Sequence, residues 1–123
     1  MHVLVVDAHA DSRLLLADLL ELKGLEVSGV ASGREAIGGN FDPDLVILEL
    51  QMPDLDGYAT LAQLRQGESP PLVIALSGHV LPEDERRIRA SGFDAALSKP
   101  VDLDTLWRTV EQVMAKAAAG RRG

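Results

Sequence analysis

Phe41-Asp42-Pro43-Asp44-Leu45-Val46-Ile47-Leu48-Glu49-Leu50-Gln51-Met52-Pro53-Asp54-Leu55-Asp56-Gly57 decides the fold of this chain. Turn residues open the stretch, and four bulky apolar residues follow without a break. Such a run reads as a strand buried on both faces, as in a parallel sheet. Glu49 stands where the run ends, ahead of a loop of Pro, Asp and Gly. A carboxylate at the carboxyl end of a buried strand is costly unless it lies at the mouth of a site.

Similar punctuation recurs on either side. Val3-Leu4-Val5-Val6 runs into Asp7, and Leu72-Val73-Ile74-Ala75-Leu76 follows Ser69-Pro70-Pro71 and runs into Ser77-Gly78. Ala95-Ala96-Leu97-Ser98 is a weaker strand followed by Lys99-Pro100. Leu25-Glu26-Val27-Ser28-Gly29-Val30 alternates apolar with small or polar residues, which predicts a strand at the sheet edge. Between these runs lie helical patterns. Leu14-Leu15-Leu16, Leu19-Leu20 and Leu22 predict a helix with a broad apolar face, capped by Asp11 or Ser12 and stopped at Gly24. Ser32-Gly33-Arg34-Glu35 matches a capping box for a short helix ending at Gly38-Gly39.

Tyr58, Leu61 and Leu64 recur at helical spacing. Pro82–Ala90 has an acidic first turn and basic later turns, complementing the helix dipole, with Glu83/Arg87 and Glu85/Arg89 as i,i+4 pairs. Leu103, Leu106, Trp107, Val110, Val113 and Met114 form the stripe of a closing helix, and the residues from Ala117 onward are expected to fray.

Strand and helix thus alternate five times, with connections too long for hairpins. That pattern calls for right-handed crossovers and an α/β, three-layer, doubly wound fold. Ligands bind such folds at the carboxyl ends of the strands. Asp7, Glu49, Ser77 and Lys99 are the residues expected there. Carboxylates suit a hard divalent cation, while a hydroxyl and an ammonium suit phosphoryl oxygens. Asp7-Ala8-His9-Ala10-Asp11-Ser12 holds no glycine for a dinucleotide site or a P-loop, and no Gly-x-Ser-x-Gly elbow marks a hydrolase. His9 and His79 are read as lone loop histidines rather than metal ligands.

Composition bounds the rest. A chain of 123 residues with 46% hydrophobic and 25% charged residues is one globular domain. A net charge of −7 argues against nucleic acid and against an acidic membrane surface. Zero cysteines remove disulfides and thiolate metal sites. No apolar run approaches membrane-spanning length and no basic leader is present, so a cytoplasmic domain is expected. Residues 1–118 are taken as the domain and 119–123 as a flexible tail, and Met1 with so short a tail favours a stand-alone chain over a module.

Over nearly its whole length the chain resembles the receiver domain of two-component response regulators. Val3-Leu4-Val5-Val6-Asp7 resembles the first strand and the start of the acidic pair. Residues 43–48, followed by Met52-Pro53-Asp54-Leu55-Asp56-Gly57, resemble the phosphoacceptor strand and its loop. Ala75-Leu76-Ser77-Gly78 resembles the strand carrying the switch hydroxyl, and Lys99-Pro100 the Lys-Pro step, for which the family implies a cis bond. The resemblance implies a flavodoxin-like (βα)5 fold with sheet order 2-1-3-4-5, phosphorylation of an Asp, and a magnesium ion beside it.

Three positions depart from that pattern. Glu49 stands where the family carries the phosphorylated Asp, Ala8 where the second acid ligates magnesium, and Ala96 where a switch aromatic sits. The expectation is an atypical pseudo-receiver, not an enzyme. It acts by contact with a histidine kinase, another signalling protein or another receiver, as a monomer or weak homodimer. Asp7, Glu49 and the Gln51 carbonyl remain as metal ligands, and magnesium is expected to bind weakly or not at all, with no other cofactor. By resemblance, the contact face is that of the fourth helix, fifth strand and fifth helix, with His79, Val80 and Leu81 as candidates or, for Val80 and Leu81, merely as a cap on the helix.

The alternatives are a working phosphoacceptor that uses magnesium, an engineered phosphomimetic, and a small-ligand binder in the same crevice. A single engineered change would leave family residues at positions 8 and 96.

Overall fold

The computed structural model describes residues 1–78 and 80–122, so His79 and Gly123 lie outside the described residues. Five strands and five helices alternate: β1 (His2–Val6), α1 (Ala10–Glu21), β2 (Glu26–Val30), α2 (Gly33–Gly38), β3 (Leu45–Glu49), α3 (Gly57–Leu64), β4 (Leu72–Ser77), α4 (Pro82–Ala90), β5 (Ala95–Ser98) and α5 (Leu103–Arg122). All strand pairs are parallel, in the order β2-β1-β3-β4-β5. The expected doubly wound architecture is therefore present, with β2 at an edge and only partly buried.

Alternation along each central strand builds two cores. Val3, Val5, Leu45, Ile47, Ile74 and Leu76 face Leu16 and Leu20 of α1 and Leu106, Val110 and Val113 of α5. Leu4, Val6, Val46, Leu48, Val73 and Ala75 face Ala36, Leu61 and Ile88 of α2, α3 and α4, with Phe93. The continuous apolar runs follow from this, since side chains alternate between two covered faces.

Several local expectations are corrected. His9, not Asp11 or Ser12, occupies the N-cap of α1, and Asp11 lies in its first turn. The broad apolar face of α1 is only partly used: Leu16 and Leu20 are buried, whereas Leu14, Leu15 and Leu22 are exposed. At about 100° per residue, Leu15 and Leu22 lie more than about 100° round the helix from the buried pair, outside the arc a sheet can cover. In α4, Glu85 pairs with Arg89 at 3.2 Å, but Arg87 lies over the Tyr58 ring, 5.0 Å from its centre, instead of pairing with Glu83.

Helix α5 continues to Arg122, through the stretch expected to fray. Asp102, just before it, accepts hydrogen bonds from the Thr105 amide (2.8 Å) and hydroxyl (3.0 Å). These bonds hold its carboxyl below the usual aspartate value. Half of the capping box expected for α2 is present: Ser32 Oγ accepts from the Glu35 amide, but Glu35 reaches past the N-cap and accepts from the Ala31 amide.

Candidate functional site

β1, β3, β4 and the segment after β5 end together at one edge of the sheet. The Asp7 amide donates to the Val30 carbonyl at 3.1 Å, so the residue stays fixed beside the ladder just past β1. Glu49 is the last residue of β3, in register with Leu76 of β4. Lys99 is brought alongside by its amide, which donates to the Ser77 carbonyl at 2.8 Å, and the Lys99–Pro100 bond is cis as expected. Gly57 lets α3 start against the end of β3, for a Cβ there would come within 2.7 Å of Leu50 Cα and 2.9 Å of the Glu49 carbonyl oxygen. Asp56 then caps α3, accepting from the Ala59 amide at 2.8 Å.

Lys99 Nζ lies 3.0 Å from Asp7 Oδ2 and 3.0 Å from Glu49 Oε1. The Asp7 side chain is fully buried and that of Glu49 is 5% exposed. Burial alone disfavours the charged Lys99 amine, but the two carboxylates beside it, Asp7 and Glu49, outweigh it and raise its pKa above the ordinary lysine value. Glu49 Oε2 accepts from the Leu50 amide at 3.1 Å, so both of its oxygens are engaged. Asp7 Oδ1 accepts from the His9 amide at 2.9 Å. Asp7 Oδ2 faces the ammonium yet accepts no aligned hydrogen bond.

Three of the expected residues are thus brought together. Asp7, Glu49 and Lys99 form one cluster, and Ser77 is buried beside it at the end of β4. Gln51 is exposed two residues past Glu49, Ala8 is half-buried, and Ala96 packs against the core under α4. Sequence reasoning set His9 aside, but its imidazole stands at the cluster, with Nδ1 3.4 Å from Asp7 Oδ1. Asp7, His9 and Glu49 each offer a ligand atom within 4.8 Å of the others. The signal was local: a residue two places after a buried acid has its amide on that carboxylate and its side chain at the same mouth. Beside the cluster, Ser12, Leu15, Leu16, Leu76, Lys99, Pro100 and Val101 line an apolar hollow between α1 and the start of α5.

Comparison with known proteins identifies the fold. The family model described as the response regulator receiver domain matches residues 3–111. The chain belongs to that family. Over 89% of its length it is 36% identical to the sensor histidine kinase RcsC of Salmonella typhimurium, of which it spans only 12%. It is 30% identical to the polar-differentiation response regulator DivK of Brucella ovis, covering 94% of this chain and 97% of the relative. Among solved structures, the Vibrio cholerae chemotaxis protein CheY4 superposes with a TM-score of 0.78 at 29% identity, covering 91% of this chain and 97% of that one. The Francisella response regulator 1452 receiver domain superposes with a TM-score of 0.84 at 27% identity, covering 94% and 98%.

Receiver domains are signalling modules that meet histidine kinases and other signalling proteins, and receivers carried within sensor kinases are among the relatives. Among the described residues no helix is long and apolar enough to cross a membrane.

Proposed function

We propose that this receiver domain signals by protein contact, with its phosphoryl-transfer chemistry disabled. One observation carries the reading: Lys99 Nζ bonds Glu49 Oε1 at 3.0 Å. In a receiver with the implied Asp acceptor, that ammonium is the group suited to incoming phosphoryl oxygens. A glutamate carries one more methylene, reaches the ammonium itself and fills part of the space a phosphoryl group needs. Phosphoryl transfer depends on in-line placement, and a displacement of about 1 Å costs on the order of 100-fold.

Magnesium does not fit the residues present. Ala8 supplies no side-chain oxygen, and Lys99 already holds an oxygen of both remaining acids. Ala96 leaves no aromatic ring to report occupancy of the site to the outer surface.

The contact reading draws its surface from α1. Leu14, Leu15 and Leu22 are 60%, 50% and 73% exposed there, with Asp11, Asp18 and Glu21 exposed beside them. Of the residues first considered near α4, His79 lies outside the described residues, Val80 is half-buried against the core and Leu81 is 42% exposed. A signalling protein with an apolar face and basic flanks complements α1.

Intact mass measured after incubation with a small phosphodonor and magnesium tests the proposal. No phosphate adduct is expected. A stable acyl-phosphate adduct at Glu49 would restore the phosphoacceptor reading.

A further inference from the structure

We propose that the C-terminal half of α5 and the groove beside it form a self-association surface, on which a second copy of this chain packs its own α5 antiparallel. The surface lies at the amino end of the sheet, opposite Asp7, Glu49 and Lys99, so it stands apart from the reading above.

Three observations carry it. First, α5 outruns its support. Val113 is the last of its described residues in the core, yet the helix continues to Arg122. Residues 114–122 add about 13 Å of helix at the usual rise per residue. Second, a groove of about 670 Å³ runs along this overhang. Met114, Ala117 and Ala118 form one wall, and Asp42, Pro43 and Pro70 stand on the other. Met1 and Met114 at the groove are 37% and 39% exposed. Third, the two walls differ in charge. Asp42 is exposed on the loop wall, Glu68 is exposed just before Ser69 of the same wall, and neither joins an ion pair among the described residues. After Glu111 the chain holds Lys116, Arg121 and Arg122 and no acid, in a molecule of net charge −7. The helix dipole accounts for basic residues at this end, but not for the unpaired acids across the groove.

The same chain therefore carries both halves of a complementary pair, an apolar groove with an acidic wall and a helix end that is basic. An antiparallel crossing centred between positions 117 and 118 sets position 121 of one helix opposite Met114 of the other. Each basic end then enters the groove walled by the other copy's acids, and the alanines at the crossing let the two helices approach closely. A parallel arrangement would instead set the two basic ends against each other. One patch serves both copies, as a two-fold interface requires. Its small extent puts the dimer in the weak class, with opposite charges fixing its register.

Sedimentation velocity of the full chain across a hundredfold range of concentration, at low and high salt, tests the inference. A concentration-dependent dimer that weakens as salt rises is expected. Asp42→Lys, or Arg121→Glu with Arg122→Glu, should weaken it at least about tenfold, and combining the two reversals should recover most of the loss. Ala118→Trp should abolish it by blocking the crossing. Leu14→Lys on α1 and Leu81→Lys beside α4 should leave it unchanged. Circular dichroism confirms that each variant is folded. A monomer at every concentration overturns the proposal, as does a dimer that survives Ala118→Trp. A dimer lost in Leu14→Lys or Leu81→Lys places the contact on another face and overturns it too. A combined reversal no better than either alone overturns the charge pairing and with it the antiparallel register.

Discussion

The two ends of the sheet carry the same kinds of charged residue and use them in opposite ways. At the amino ends of the strands Asp44 and Asp94 are held by backbone amides. Asp44 accepts from the His2 amide at 2.9 Å, while its own amide and carbonyl bond His2 and Leu72. Asp94 accepts from the Val73 amide at 2.8 Å and from Arg65 Nη2 at 3.1 Å, and the same guanidinium nitrogen reaches the Gly92 carbonyl at 2.7 Å. These contacts stitch strand to strand and leave little charge unspent. At the carboxyl ends Asp7 and Glu49 face each other across a single ammonium. The lesson is that acids at neighbouring strand ends become a site when two of them must share one cation.

The sharpest way to break this comparison is Lys99→Met. It strands two buried carboxylates, so a loss on the order of 3 kcal/mol is expected in urea unfolding at pH 7. Much of that loss should return in the double variant Glu49→Gln/Lys99→Met. A cost no greater than that of a surface lysine would mean that the two ends are alike.

Asp94→Ala probes the other end. It leaves the Val73 amide and the Arg65 guanidinium short of a partner, and denaturant midpoints should report a loss of about 1–2 kcal/mol. Unlike the first loss, this one strands a cation, so neutralising another carboxylate should not relieve it. Asp56→Ala, which removes the α3 cap in the loop past Glu49, should cost about 1 kcal/mol in the same assay.

A smaller effect lies in pH. The folded-state pKa of Lys99 is raised, so its contribution is fully present below the ordinary lysine value of about 10.4 and fades as pH climbs through the raised value. Melting temperatures between pH 9 and 11 should fall less steeply in Lys99→Met than in the parent. Smallest of all, Leu15→Lys should change stability by less than about 0.5 kcal/mol, because the side chain is half exposed. It should nevertheless abolish capture of a partner through α1. Unchanged partner binding would move the contact surface elsewhere.

Much of the fold was legible because a strand covered on both faces leaves an unbroken apolar run, as at Leu45-Val46-Ile47-Leu48. The strand-end residues Asp7, Glu49 and Lys99 followed from that periodicity alone. Helix α1 was less legible, for leucines on nearly every side of it hide which arc meets the sheet. Arg87 could not be placed from spacing, since the ring it covers belongs to another helix. The Glu49–Lys99 bond joins residues fifty apart, and only the register of three strands brings them to 3.0 Å. His9 was set aside because a lone loop histidine has no periodicity to mark it.

Helix α5 has a mechanical consequence. Its 20 residues span about 30 Å, while the longest strand it lies against has six residues and extends about 20 Å. The helix begins four residues after Lys99, so whatever moves that lysine acts close to the pivot of a long arm. Tilting such an arm by about 5° sweeps its far end through roughly 2.6 Å, given the helical rise per residue. A sub-ångström rearrangement around one ammonium group would thus be delivered, magnified, at the opposite end of the domain.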